Sequence, residues 1–301
     1  MKVLNKKYNF LAIENKYSNL KDSKIVILSA PFENSTSYGK GTSKGPVEIL
    51  KASAFVEFYD DEFEKELCFD IGIATIEPLD FKNKKSVEAI NFVEKEVEKL
   101  LEVEKFVVTI GGEHTISIAP IKAFYKKYPS LSILQFDAHS DLRQSYENNK
   151  FSHACTLARV GDFFPLDKVT QVGIRALSIQ EADLIKNKKV NTFFASSIRR
   201  NMYGKNWQKE VVKTFGENVY ITFDVDYFDP SIIPSTGTPE PDGFFYSETL
   251  DLFREMAIAG KRIIGFDVVE LAPIKNLHHP NLTTARLIYK MLNFAFYATS
   301  K

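Results

Sequence analysis

The sequence predicts an α/β protein built on a mostly parallel sheet with helices on both faces. Three observations carry that expectation. Seven short apolar runs, rich in Val, Ile and Phe, recur along the 301 residues, as strands buried on both faces do. Longer amphipathic stretches lie between them, and strand–helix alternation implies parallel pairing. Most of the unusual polar residues stand immediately after the runs, where a parallel sheet gathers its carboxyl ends at one rim.

The strand candidates are 24–30 (KIVILSA), 105–110 (KFVVTI), 131–137 (LSILQFD), 168–174 (KVTQVGI), 190–195, 218–224 (NVYITFD) and 262–268 (RIIGFDV). Helical patterns cover 45–58, opened by Pro46 at a favoured first position, and 116–128 and 284–297. A fourth, 86–103, puts Ile90, Val93, Val97, Leu100 and Leu101 on one stripe. The stretch 229–243 (DPSIIPSTGTPEPDG) reads as a loop. No repeat or low-complexity linker interrupts the pattern, so one domain over residues 1–301 is expected.

Composition narrows the function classes. Hydrophobic residues make up 44% of the chain, enough for a sizeable core. Lys plus Arg and Asp plus Glu balance at 39 each, which gives no basic surplus for a nucleic-acid partner. Two distant cysteines, Cys68 and Cys155, make no disulfide framework. No apolar run reaches the ~18 residues that span a bilayer, and the N-terminus lacks a secretory pattern. A cytoplasmic setting without membrane contact is expected.

The chemistry gathers after four of the runs. Asp137, His139 and Asp141 are spaced i, i+2, i+4, which in an extended segment puts all three on one face. Asp224 and Asp226 repeat the i, i+2 spacing, and His114 ends Gly111-Gly112-Glu113-His114. Converging carboxylates repel and raise one another's pKa, and bound cations relieve this. Four aspartates balance two divalent ions, and His114 and His139 add one nitrogen each. Such a donor set favours Mn²⁺ or a similar hard ion over structural zinc, with nickel also compatible. On these residues alone the chain reads as a two-metal hydrolase that activates water, with a phosphoesterase still open.

The same motifs, in order, resemble the ureohydrolase family of arginases, agmatinases and related amidinohydrolases. The resemblance runs from about residue 31 to 285. It rests on GGEHT at 111–115, DAHSD at 137–141, DVDYFDP at 224–230, GTPEPDG at 237–243 and FDVVELAP at 266–273, with an early PFENSTSYGKGTSKGPVEIL. It implies a three-layer α/β/α sandwich, commonly trimeric or hexameric, acting on a small guanidino substrate. It implies two Mn²⁺ ions, one held by His114, Asp137, Asp141 and Asp224 and the other by His139, Asp137, Asp224 and Asp226. Asp141 would also orient the attacking hydroxide and take up its proton. Glu270 would pair with the guanidinium, and His153 would protonate the leaving amine.

The residues after Asp141, Leu142-Arg143, and the Ser152-His153-Ala154 segment look more like agmatinases than arginases. That implies hydrolysis of agmatine to putrescine and urea, in polyamine biosynthesis. Arg143 divides the substrate classes. Pointing into the pocket, it matches an anionic tail, as in guanidinobutyrase, arginase or formimidoylglutamase substrates; paired with an acid such as Glu147, it leaves agmatine in place. A non-catalytic metal-binding relative is the reading from another class. His278 and His279 sit in a polar stretch and read as solvent or subunit contacts, while Trp207, Phe244, Phe245 and Tyr246 read as packing, with the last three able to wall the pocket.

Overall fold

A computed structural model describes residues 1–298, so the last three residues of the expected domain lie outside the described residues. Eight strands form one sheet: β1 (Ile25–Ala30), β2 (Ile73–Thr75), β3 (Phe106–Gly111), β4 (Ser132–Phe136), β5 (Val169–Ile174), β6 (Asn191–Phe194), β7 (Asn218–Asp224) and β8 (Arg262–Val269). Their order is β2-β1-β3-β8-β7-β4-β5-β6, and every pairing is parallel.

Both faces are covered. Along β1, Ile25 and Ile27 enter one apolar cluster while Val26 and Leu28 enter the other, because successive strand side chains alternate. The first cluster takes in residues of helices Gly45–Ser53, Tyr246–Ile258 and His279–Tyr297. The second takes in Ser86–Glu102 and Ile118–Lys127. The stripe read at 90, 93, 97, 100 and 101 is buried in that second cluster, and each such side chain contributes about 1.5–3 kcal/mol.

Seven strands fall where the apolar runs placed them. β2 has three residues at the sheet's edge, too short to stand out as a run. The helix expected over 45–58 stops at Ser53. The one expected over 284–297 begins earlier, at His279, because Pro280 suits a first turn, so His278 and His279 open a helix rather than lie in a loop. Helices Ile179–Lys188 and Tyr246–Ile258 are additional to the patterns read. The first is opened by a capping box in which Ser178 and Glu181 satisfy each other's backbone N–H groups.

Four adjacent strands, β3-β8-β7-β4, carry the chemistry. His114 follows β3, Glu270 follows β8, Asp224 ends β7 and Asp137 follows β4.

Candidate active site

Turns, rather than an extended segment, make the acidic groups converge. Asp141 has a left-handed backbone, at φ 54°. Asp226 sits in a short 3₁₀ turn, Val225–Tyr227, capped by Asp224: Asp226 N–H donates to Asp224 Oδ1 at 2.8 Å. The DxHxD segment turns in the same way, with His139 N–H donating to Asp137 Oδ1 at 2.6 Å. Ala138 N–H joins the two strand ends through Asp226 Oδ1, at 2.9 Å.

The result is two adjoining groups that share Asp137. His114, Asp137 and Asp224 form one; Asp137, His139 and Asp226 form the other. His114 Nδ1 lies 3.1 Å from Asp137, 2.9 Å from Asp141 and 3.5 Å from Asp224. His139 Nδ1 lies 2.8 Å from Asp226 and 3.8 Å from Asp137.

The donor chemistry fits divalent cations. Thr222 gives its one hydroxyl hydrogen to Asp267 (2.8 Å), so its oxygen accepts from His114 Nε2, 3.0 Å away. A neutral ring in that tautomer aims the Nδ1 lone pair at the carboxylates, and this buried nitrogen has no hydrogen-bond partner. Beneath the other group a chain of buried amides fixes Asp137: Gln135 donates to its Oδ2 (2.7 Å), and Gln171 donates to Gln135 Oε1 (2.7 Å).

With protons alone to balance it, the cluster is strongly perturbed. Burial, with repulsion from Asp226 and Asp141, pushes Asp137 up to about 7. Burial, Asp226 and Asp137 drive Asp224 well above the carboxylate range. Burial would raise Asp226 too, but the His139 imidazolium holds it down at about 2. Burial disfavours the His139 cation, yet Asp226 draws it up to about 10.

Glu270 is buried and has a left-handed backbone at φ 66°. Its Oε1 accepts the His114 backbone N–H at 2.6 Å, while burial raises its pKa well above the usual range. A carboxylate so desolvated is well matched to a planar cation. His153 faces the same cavity of about 530 Å³, as do Arg143, Arg175, Glu181 and Glu240.

The N-terminal loop positions His153. Glu113, fully buried, accepts the N–H groups of Asn34 and Ser35 (2.6 Å each) and the Ser35 hydroxyl (2.8 Å). Ser35 Oγ accepts the His153 N–H at 2.9 Å and lies 3.5 Å from its Nδ1. The loop closes onto the strand end because residue 112 is glycine: a Cβ there would stand 2.0 Å from the Phe32 carbonyl oxygen.

Arg143 pairs with Glu181 rather than Glu147: its Nε lies 3.5 Å from Glu181 Oε2, and its guanidinium lies over the Tyr146 ring. His278 and His279 stand exposed and apart from the cluster. Phe244 stacks on Tyr227 at 4.9 Å and packs against Trp207, in the core rather than on the cavity wall. Cys68 and Cys155 are buried and free.

Glu113, Ser35, Arg175, Glu181 and Glu240 are further residues of the site that the motif spacing did not single out. Ser35, Glu113 and Glu240 lie inside quoted motifs, but nothing in their spacing says what they touch.

A parallel α/β sheet with an acid–imidazole cluster on four central strand ends defines a hydrolase built to hold metal. The arginase family's sequence profile matches residues 23–294. The chain is 36% identical over 280 residues to the N(1)-aminopropylagmatine ureohydrolase of Synechocystis sp., covering 91% of this chain and 89% of that one. It is 35% identical over 263 residues to the agmatinase of Bacillus cereus, covering 86% and 87%. The agmatine ureohydrolase structure of Thermoplasma volcanium superposes with a TM-score of 0.79 at 26% identity, covering all of this chain and 94% of that one. The chain belongs to the arginase family, whose members are binuclear divalent-metal enzymes, and is an amidinohydrolase acting on C–N bonds of linear amidines. Among the described residues no helix is long and apolar enough to cross a membrane.

Proposed function

We propose that this chain is a manganese-dependent amidinohydrolase of the agmatinase type, releasing urea from agmatine or its N1-aminopropyl derivative. The observation that carries the substrate reading is the Arg143–Glu181 pair. It removes the cation that would have matched an anionic tail, and the relatives named for agmatine and aminopropylagmatine support the same class. The whole chain acts as one catalytic domain, in a cytoplasmic homo-oligomer of three or six copies within a polyamine route.

His114, Asp137, Asp141 and Asp224 would hold one Mn²⁺, and His139, Asp137, Asp224 and Asp226 the other. When bound, the pair supplies a water of lowered pKa near neutrality. Glu270 holds the guanidinium through paired N–H···O contacts and sets its carbon toward the aspartates. Asp141 orients the attacking oxygen and accepts its proton. His153, fixed by Ser35 and Glu113, carries a proton to the departing amine, a strong base that leaves poorly without one.

The test is urea release from agmatine, N1-aminopropylagmatine, arginine, 4-guanidinobutanoate and 3-guanidinopropanoate, with formiminoglutamate assayed for formamide. Mn²⁺- and Ni²⁺-loaded protein of measured metal content should be compared. The cationic-tail compounds are expected to lead. No turnover of any of them overturns the reading, and preference for an acid overturns the substrate class.

A further inference from the structure

The cavity holds four charged side chains outside the metal cluster and Glu270: Arg143, Arg175, Glu181 and Glu240. Two cancel each other. Glu181 is buried, accepts from Ser140 and the Leu142 N–H, and pairs with Arg143. Arg175 is committed to backbone. Its guanidinium donates to the carbonyls of Gly173, Asp226, Tyr227, Phe228, Glu240 and Pro241, at 2.7–3.4 Å.

Glu240 is left over. Among the described residues the one basic group within 4 Å of its carboxylate is His139, whose Nε2 lies 3.9 Å from Oε1. That is beyond hydrogen-bond length, so the carboxylate does not orient the imidazole. Neighbouring Asp242 is occupied differently, 3.7 Å from Arg199 on the outer surface.

We propose that Glu240 is the specificity-determining carboxylate that receives the distal ammonium of the substrate, an inference that rests on the agmatinase-type reading. The cavity then offers two carboxylates, Glu270 and Glu240, to a ligand with two cationic ends. His139 stands between the metal cluster and Glu240: its Nδ1 faces Asp226 at 2.8 Å and its Nε2 faces Glu240. The second carboxylate therefore lies one imidazole ring and one 3.9 Å contact beyond the metal cluster, lining the same cavity as Glu270.

Its backbone is held for the purpose. Arg175 Nη2 donates to the Asp226 carbonyl (2.7 Å) and the Glu240 carbonyl (3.0 Å), and Nε donates to the Pro241 carbonyl (3.0 Å). One guanidinium thus ties the metal-ligand turn to the loop that presents the tail carboxylate, fixing their separation. The side chain itself is partly exposed (38%), as a group at a pocket mouth must be to meet an incoming cation. Selection works in both directions, because the same charge repels a guanidino acid.

The test compares wild type with Glu240→Gln and Glu240→Ala on agmatine, N1-aminopropylagmatine and 4-guanidinobutanoate, with metal content measured in each. KM for the two cationic-tail substrates should rise about fivefold, the scale of one partly screened ion pair, while kcat falls less. KM for 4-guanidinobutanoate should hold or fall. Binding of butane-1,4-diamine, followed by calorimetry without turnover, should weaken by the same factor. An equal loss on all three substrates together with lost metal assigns Glu240 to His139 and overturns the proposal. Wild type that hydrolyses agmatine while both variants keep its KM overturns the Glu240 assignment alone. Wild type that prefers 4-guanidinobutanoate overturns the substrate reading as well.

Discussion

The two imidazoles of the cluster stand in unlike surroundings. The His114 side chain is 1% exposed, faces three carboxylates, and is backed by Thr222 and Asp267. Asp267 is itself held by Ser117 and Tyr220. The His139 side chain is 26% exposed, faces two carboxylates of the cluster, and opens on its other edge toward the cavity and Glu240. One half of the centre is set by the buried core, and the other half opens to the cavity. The ion held by His139 is therefore expected to exchange first, and the one held by His114 to set the resting occupancy.

Asp224→Ala should erase the distinction, because Asp224 stands beside His114 and also caps the Asp226 turn. Both ions should be lost and activity should fall by well over about a hundredfold, more than the loss of an outer partner costs; metal analysis and urea release check it. His153→Ala should lower kcat by about a hundredfold or more and leave both ions in place. Metal loss in that variant would remove His153 from the proton-transfer role. Asp267→Asn separates the halves: affinity for the buried ion should weaken about 10–100-fold, with the His139 ion unchanged in a competitive chelator titration.

The smallest effect is pH. Asp137 carries a proton below about pH 7 when no cation is bound, and that proton competes with metal. As pH falls through 7, Mn²⁺ affinity should drop by about tenfold per unit for each proton displaced. Calorimetry in buffers of different ionisation heat reads the released protons directly. Affinity that does not change between pH 6 and 8 would contradict this.

Much of this was legible in the residues. Seven strands announced themselves because a strand buried on both faces must be apolar throughout. Seven of the eight candidate positions stood out because each ends or closely follows such a run, while His153 came only from the resemblance of its motif. What stayed hidden depends on chain segments far apart. β2 pairs only three residues of an edge. Glu181 belongs to a helix the sequence did not announce, and Arg143 and Ser140 meet it only in the fold. Arg175 reads as a charge after a strand, and its six carbonyl partners come from loops 50 or more residues away in all but one case. Even the aspartate spacing misled about means: an extended segment was expected, and capped turns do the work.

Asp141 and Glu270 share one further property, a left-handed backbone that neither side chain favours, at a cost of about 1–3 kcal/mol each. Glycine would relieve that cost at either position and discard the carboxylate. For directed evolution the consequence is practical. A screen for heat resistance run without a urea assay rewards glycine at these two codons as it does at the other left-handed positions, and here the gain in robustness removes a carboxylate of the candidate site.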